Sequence, residues 1–295
     1  MEKRLAVLLG CCLLALLHPR AASASATLEE GVALPVVMYH HVLGENSSLL
    51  GDYVIAQSEF ESDMAWLKAA GYTPVSAQEL VDYVDGKGTL PQRPIFITFD
   101  DGYESFYANA YPLLQKYDMK AVVSVIGRYS DLYSQPDVVK HLNYSHLNWD
   151  QVRELAEAPL VEIGNHSYDM HDATGKESRP GAKKRKGEDE AHYQEAFRAD
   201  TEKVQQCIED ATGRRPFLYA YPFGYYSDDS EAILKELGYR ITLSCESRNS
   251  TVTHDPDSLF LLGRYNRVHG LRSADFFKKM GLEPAPLSSG LVDRP

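Results

Sequence analysis

Three things are scarce in this chain of 295 residues. The first is cysteine. Cys11, Cys12, Cys207 and Cys245 are the only ones, and no two are spaced as Cys-x-x-Cys. A thiolate zinc site or a redox dithiol is therefore excluded as the source of function. Cys207 and Cys245 are compatible with one disulfide or with two separate thiols, and spacing does not choose between them. Positive charge is the second: 30 Lys and Arg stand against 42 Asp and Glu, for a net charge of −12. Non-specific binding of nucleic acid needs a basic face that displaces counterions, so that class is excluded too. Long apolar runs are the third. The longest, Leu5 to Leu17, holds thirteen residues, whereas a membrane-crossing helix needs about 20. With 44% hydrophobic and 24% charged residues, intrinsic disorder, a collagen-like repeat and a polytopic membrane protein are excluded as well.

What is there begins with that run. It follows Met1-Glu2-Lys3-Arg4 and precedes Ala22-Ser23-Ala24-Ser25-Ala26, the charged, apolar and small-residue order of a secretory signal. Residues 1–26 are expected to be a signal peptide, and the protein to be secreted or held in the cell envelope. The competing expectation is an uncleaved anchor. Contact with a membrane is expected only through this segment. Its removal takes away Lys3, Arg4 and Arg20 but only Glu2, leaving a more acidic remainder.

Beyond residue 33 short apolar strands alternate with amphipathic helices. Strands are expected at Pro35–Tyr39, Ile95–Phe99, Ala121–Ile126, Leu160–Ile163, Phe217–Tyr221 and Tyr239–Ser244. Ser58–Glu61 and Ser76–Glu79 have the form of capping boxes that open helices. Further helices are expected near 104–117, 149–156, 188–212 and 228–237. The run Ile95-Phe96-Ile97-Thr98-Phe99 marks a strand buried on both faces. Six or seven such units imply a parallel sheet, open or closed into a barrel, in one domain at 33–282. Residues 172–187, rich in Gly, Pro and charge, are expected to be a mobile, solvated surface loop, and 283–295 a disordered tail. A single chain is the expected unit.

Chemistry collects at strand ends, the edge where parallel α/β folds bind ligands. Thr98-Phe99-Asp100-Asp101-Gly102 ends the most convincing strand. Adjacent carboxylates repel, and a cation relieves the repulsion; Asp-Gly also makes a plain turn. His166 and His171 follow the next strand but one. Five residues apart, they would sit about 140° off a common helix face, but a turn after a strand brings both imidazoles together. Two imidazoles and one carboxylate form a donor set for a catalytic divalent metal with a position left for water. In Met38-Tyr39-His40-His41-Val42, alternation along the strand turns one histidine toward the site, where it would protonate a leaving group. Tyr221-Pro222-Phe223-Gly224 ends another strand, and its tight backbone places N–H groups to face an oxyanion.

These motifs resemble those of the polysaccharide deacetylases, the NodB-homology enzymes of carbohydrate esterase family 4. Residues 98–102 (TFDDG) match the family's first motif, 166–171 (HSYDMH) its second and 221–224 (YPFG) part of its third. MYHHV and the five-residue histidine spacing are most similar to the poly-β-1,6-N-acetylglucosamine deacetylases; typical members space the pair by four. The resemblance covers about residues 35–270. It implies a distorted (β/α) barrel of about six or seven parallel strands and a divalent metal, Zn²⁺ or else Co²⁺, Ni²⁺ or Mn²⁺, held by Asp101, His166 and His171. It further implies Asp100 as general base toward a metal-bound water and His40 as general acid toward the departing amine. A backbone N–H near Phe223 would receive the oxyanion, with Tyr221 beside the substrate. His254 and His269 are lesser candidates for the acid. One position departs from the pattern: Ala220 stands where many members carry an Arg that steers the base. Arg264 or Arg267 is expected to replace it from a later strand.

The implied activity is metal-dependent de-N-acetylation of an N-acetylglucosamine-containing glycan, poly-N-acetylglucosamine-like or from a cell wall or chitin. Two other readings stand beside it. The same site would also attack the ester of an O-acetylated glycan. A glycan-binding protein with impaired catalysis would tolerate the missing Arg, although Asp100 argues against it, because a mere binder needs no base.

Overall fold

Every residue of Pro94–Phe99 is buried, because this strand runs through the middle of a parallel sheet with helices on one face and apolar side chains on the other. The computed structural model describes residues 31–176 and 179–284; the expected signal peptide and the tail beyond residue 284 lie outside the described residues. In chain order the first strands are β1 (Val32–Leu34), β2 (Val36–Tyr39), β3 (His41–Leu43), β4 (Val54–Ala56), β5 (Thr73–Pro74) and β6 (Pro94–Phe99). They are followed by β7 (Ala121–Val125), β8 (Val161–Asn165), β9 (Leu218–Ala220), β10 (Ile241–Leu243), β11 (Ser250–Val252) and β12 (Tyr265–Asn266). The helices are α1 (Gln57–Ala69), α2 (Ala77–Val84), α3 (Tyr111–Tyr117), α4 (Gly127–Tyr133), α5 (Trp149–Glu157), α6 (Glu190–Thr212), α7 (Asp228–Glu236) and α8 (Ser273–Lys279).

The main sheet runs β10-β9-β8-β7-β6-β2-β12, parallel throughout, with β5 also pairing β6. Its two edges approach through the segment that leads into β12. The Leu262 N–H donates to the Thr242 carbonyl at 2.9 Å, and the Ser244 N–H to the Leu262 carbonyl at 2.9 Å. The result is the expected distorted (β/α) barrel. Alternation sorts its side chains. Val36, Phe96, Val122, Leu218, Ala220, Ile241 and Leu243 form one cluster. Val37, Tyr39, Ile97, Phe99, Val123 and Val125 pack outward with Phe60, Met64 and Leu67 of α1 and with Val152 and Leu155 of α5. Each fully buried large aliphatic or aromatic side chain contributes about 1.5–3 kcal/mol.

Several local expectations change in the structure. Ser76 and Glu79 cap α2 reciprocally, at 3.1 and 2.8 Å. Ser58, by contrast, lies inside α1: the Glu59 carboxylate accepts from the Ala56 N–H at 2.9 Å and starts the helix two residues earlier, while the Ser58 hydroxyl donates to Glu45. Cys207 and Cys245 are both free thiols. The segment 179–188 is anchored over part of its length, while Lys183 and residues 185–187 stay exposed as a surface loop would be. Arg179 and Glu188 form a buried ion pair, Ala182 is fully buried, and the Gly181 N–H donates to the Met170 carbonyl at 2.8 Å. Composition does not show that Arg179 and Glu188 are spent on one another. No helix among the described residues is long and apolar enough to cross a membrane.

Arg267 explains how α1 is fastened to the barrel. Its guanidinium donates to both Asp63 carboxylate oxygens, at 2.8 and 3.1 Å, and the Tyr39 hydroxyl donates to Asp63 at 3.0 Å. Both charged groups are almost wholly buried. Removing one partner strands the other charge away from water. Asp63→Ala is expected to cost about 3–5 kcal/mol of stability in urea unfolding, and Asp63→Leu with Arg267→Met distinctly less. An Asp63→Ala midpoint equal to wild type would contradict this.

Candidate active site

The three motif loops share a backbone signature. Asp101 (φ 68°), Ser167 (φ 72°) and Phe223 (φ 58°) all adopt left-handed conformations, which cost non-glycine residues energy and persist where the surroundings fix them. At Gly102 (φ +65°) the reason for glycine is direct: a Cβ would lie 2.9 Å from Val125 Cγ1 and 3.1 Å from its Cα. Each sharp bend immediately follows a buried strand and throws its motif onto the C-terminal edge of the barrel.

Asp101, His166 and His171 meet there, with one donor atom of each within 4.8 Å of the others. Asp101 Oδ1 lies 3.1 Å from His171 Nε2 and 3.4 Å from His166 Nε2. His166 Nδ1 is 2.8 Å from the Ala220 carbonyl oxygen. A carbonyl only accepts, so Nδ1 carries the proton and Nε2 presents a lone pair toward Asp101. Asp101 Oδ1 is buried and makes no hydrogen bond. Lone pairs converging on one point in a dry setting call for positive charge between them, and a divalent cation fits this donor set. Burial pushes the Asp101 carboxyl up, but the two imidazoles more than offset it and hold it well below the usual range. Burial pulls His171 down, and Asp101 outweighs that pull, so His171 ends above the ordinary imidazole value.

Asp100 has a different partner. Arg264 donates Nη1 to Asp100 Oδ1 at 2.6 Å and Nη2 to Oδ2 at 2.7 Å, a bidentate pair in which Arg264 is completely buried. The remaining guanidinium donors reach the Ser244 carbonyl at 2.8 Å, Thr98 Oγ1 at 3.4 Å and Cys245 Sγ at 3.8 Å. Burial alone would raise the Asp100 carboxyl; Arg264 and the neighbouring His166 reverse the sign and keep it below the ordinary value. Of the two arginines weighed for this place, Arg264 occupies it, and Arg267 belongs to Asp63.

His40 and His41 divide as strand alternation requires. His41 is buried, its Nδ1 lies 2.5 Å from Ser105 Oγ, and its ring stacks on Tyr103 at 4.2 Å. His40 is only half-buried, its Nδ1 makes no hydrogen bond, and it feels the charges of Asp100, Asp101 and Arg264. Phe223 lies at the rim with its ring 4.3 Å from that of His171. Tyr221 does not face the site. Its ring is fully buried and its hydroxyl donates to Glu231 at 2.6 Å, with Ser230 at 3.1 Å, because alternation turns residue 221 outward when 220 points inward. It has no side-chain atom to offer a substrate. His254 bonds the Tyr83 carbonyl and His269 pairs with Glu59; neither joins the site.

Two further residues bear on the site without any motif to announce them. His146 is buried against Tyr103 and Tyr129, with ring centroids at 4.6 and 4.4 Å, and burial lowers it to about 4, leaving it neutral. Asp200 of α6 accepts the N–H groups of Tyr168 and Asp169 at 2.8 and 2.7 Å, gripping the turn between the two metal-donor histidines. Burial raises its carboxyl to about 6 in spite of those two bonds.

Strand ends that aim a cation-binding triad and a paired carboxylate at one point are the layout of a barrel hydrolase. The chain belongs to the polysaccharide deacetylase family, whose sequence model matches residues 87–242. It is 29% identical over 210 residues to a poly-beta-1,6-N-acetyl-D-glucosamine N-deacetylase of Escherichia coli (strain K12), covering 65% of this chain and 31% of that one. A protein of the same description from Staphylococcus aureus (strain MRSA252) is 28% identical over 209 residues, covering 70% of this chain and 66% of the relative. The chain thus spans about a third of the first relative's length and just under two thirds of the second's. Among solved structures, IcaB from Ammonifex degensii matches with a TM-score of 0.65 at 27% identity, over 81% of this chain and 93% of that one. A de-N-acetylase from Aggregatibacter actinomycetemcomitans shares the fold, with a TM-score of 0.70 at 22% identity over 84% of this chain and 100% of that one.

The grip of Asp200 on the 166–171 turn yields a test. Asp200→Ala is expected to lower the affinity for added Zn²⁺ by about 10–100-fold in calorimetric titration, the size of effect usual for residues that orient metal ligands. An unchanged affinity would show that the turn holds its shape without Asp200.

Proposed function

We propose that the protein hydrolyses the acetamide groups of N-acetylglucosamine residues in a glycan, outside the cytoplasm, with a divalent metal for which Zn²⁺ is our first candidate among the first-row ions that a His₂Asp set accepts. The observation that carries this reading is the fully paired Arg264–Asp100 contact beside an Asp101–His166–His171 triad. A buried carboxylate kept ionised next to a cation-binding set is what a general base needs and what a binding module does not. The names given to the Escherichia coli and Staphylococcus aureus relatives support the same substrate class. The alternative of a glycan-binding protein with impaired catalysis rested on Ala220, and it loses that ground once Arg264 is seen in the guanidinium's place.

When bound by Asp101, His166 and His171, a divalent ion supplies positive charge that acidifies a water molecule and polarises the acetyl carbonyl. The rest falls to side chains and backbone. Asp100 accepts the proton of the attacking water at a carboxylate oxygen, and Arg264 keeps that carboxylate ionised and fixed in plane. A backbone N–H near Phe223 donates to the oxygen on which negative charge develops. His40 gives a proton to the departing nitrogen, which an amide requires because an amine anion is a poor leaving group. Desolvation sets His40 below the ordinary imidazole value despite the raising influence of Asp101 and Asp100.

Acetate release from acetylated glucosamine oligomers tests the reading. Release is expected with Zn²⁺, abolished by a chelator and restored by added metal. Absence of acetate from every acetylated glycan offered to metal-loaded protein would contradict it. The amide and ester readings separate at His40. His40→Ala is expected to slow amide hydrolysis by about 10²–10⁴-fold and hydrolysis of an acetyl ester much less, since an alcohol leaves more easily. Undiminished amide turnover would remove His40 from the acid role.

A further inference from the structure

Two of the large side chains left exposed on the surface are aromatic rings that flank the site. Tyr53 is 61% exposed and Tyr225 is 48% exposed. Each is linked to the catalytic edge by ring contact. Tyr53 meets the ring of His40 edge-on at 4.9 Å. Tyr225 lies 5.7 Å from the ring of Phe223, which is itself 4.3 Å from His171. Strand order sets them on opposite flanks: Tyr53 follows β2 and β3, on one side of β6 and its aspartates, and Tyr225 follows β9, three strands away on the other.

Both rings stand on fixed backbone. The Tyr53 carbonyl accepts from the His41 N–H at 3.1 Å, and its turn is closed by Gly51 N–H to the Val54 carbonyl at 2.9 Å. Asn266 of β12 holds the neighbouring Asp52 carbonyl at 2.8 Å. On the other flank the Tyr225 N–H donates to the Pro222 carbonyl at 3.0 Å, and its carbonyl accepts from Ala182 at 2.9 Å. Gly181 approaches so closely that a Cβ there would lie 2.7 Å from Tyr225 Cβ. An exposed ring on an immobilised backbone loses little further freedom when it binds, which is the condition for a stacking platform. A pyranose presents a face of C–H groups that packs on an aromatic ring while its hydroxyls stay in water.

We propose that Tyr53 and Tyr225 are stacking platforms for two sugar rings of the glycan, one on either side of the ring being deacetylated. This inference rests on the deacetylase reading above and extends it from reaction to substrate length. The basic segment 183–186, next to Ala182 in sequence, then has a structural context: its loop props up one platform.

The test uses metal-loaded protein and β-1,6-linked N-acetylglucosamine oligomers from monomer to hexamer. In the wild type kcat/KM is expected to climb with length until the oligomer spans both tyrosines, then level off. Tyr53→Ala and Tyr225→Ala are each expected to raise the hexamer KM about tenfold, the loss of one aromatic stack, with kcat little changed; Tyr→Phe at either place restores the KM, because the ring and not the hydroxyl binds. A hexamer KM unchanged in both alanine variants would overturn the proposal. Calorimetric binding of hexamer to Asp100→Asn protein, which needs no turnover, separates the two readings. Hexamer affinity that falls with the tyrosines while the wild type releases no acetate refutes the deacetylase reading and keeps the platforms. Hexamer affinity that ignores the tyrosines, or no hexamer binding at all, refutes the platforms.

Discussion

The buried pair between Arg264 and Asp100 is the constraint around which the site is arranged. Two full charges are held out of water, which is tolerable only where geometry and hydrogen bonding are complete. They are complete here: the carboxylate is gripped bidentately, and the remaining guanidinium donors reach Ser244, Thr98 and Cys245. Arg264 comes from the segment that brings the sheet's edges together, between Leu262 beside β10 and Tyr265 beside β2. Barrel closure and the pairing of Asp100 are therefore one event. If the seam opened, Asp100 would lose its counter-charge and, buried as it is, take up a proton. Ala220 belongs to the same economy of space: its cluster of small and aliphatic neighbours points inward, and its carbonyl is used to fix the tautomer of His166.

A second layer of constraint keeps the donors in place. Left-handed backbone at Asp101, Ser167 and Phe223 has no local justification, so each bend depends on what holds it. Asn165 Oδ1 accepts the Ser167 N–H at 2.7 Å, and Asp200 accepts the next two amides. Tyr168 then ties the turn to α4 through its hydroxyl on Asp131 at 2.6 Å. The site is rigid because its supports arrive from helices that pack on the barrel for ordinary hydrophobic reasons. That rigidity carries outward to the rim, where segment 179–188 is pinned beside Tyr225.

Much of this was legible in the amino-acid sequence. Residues 98–102 follow a strand whose unbroken apolar run could only be buried, so the aspartates had to emerge at a sheet edge; the same holds for His166 and His171. Alternation correctly separated His40 from His41. Applied to Leu218–Tyr221, it would also have turned Tyr221 outward, where the structure finds it. Arg264 was visible only as a replacement for what Ala220 lacks, because residues 253–264 have no periodicity from which to place a side chain. His146 and Asp200 were out of reach: one sits in an irregular loop, the other on a charged helix face that resembles a solvated one. The anchoring of Arg179, Gly181 and Ala182 was missed for a related reason, since composition records charges but not whether they are paired.

The central claim is that Arg264 holds Asp100 as an ionised base. Replacing Arg264 with Lys keeps the charge and removes the fork. The rate of acetate release from an N-acetylglucosamine hexamer, with bound metal counted in the same sample, tests the claim most directly. The account predicts a folded protein with wild-type metal content whose kcat is lower by about 10²-fold or more, the scale set by loss of one preorganised electrostatic contact in an active site. A lysine variant that turns over at the wild-type rate would contradict it.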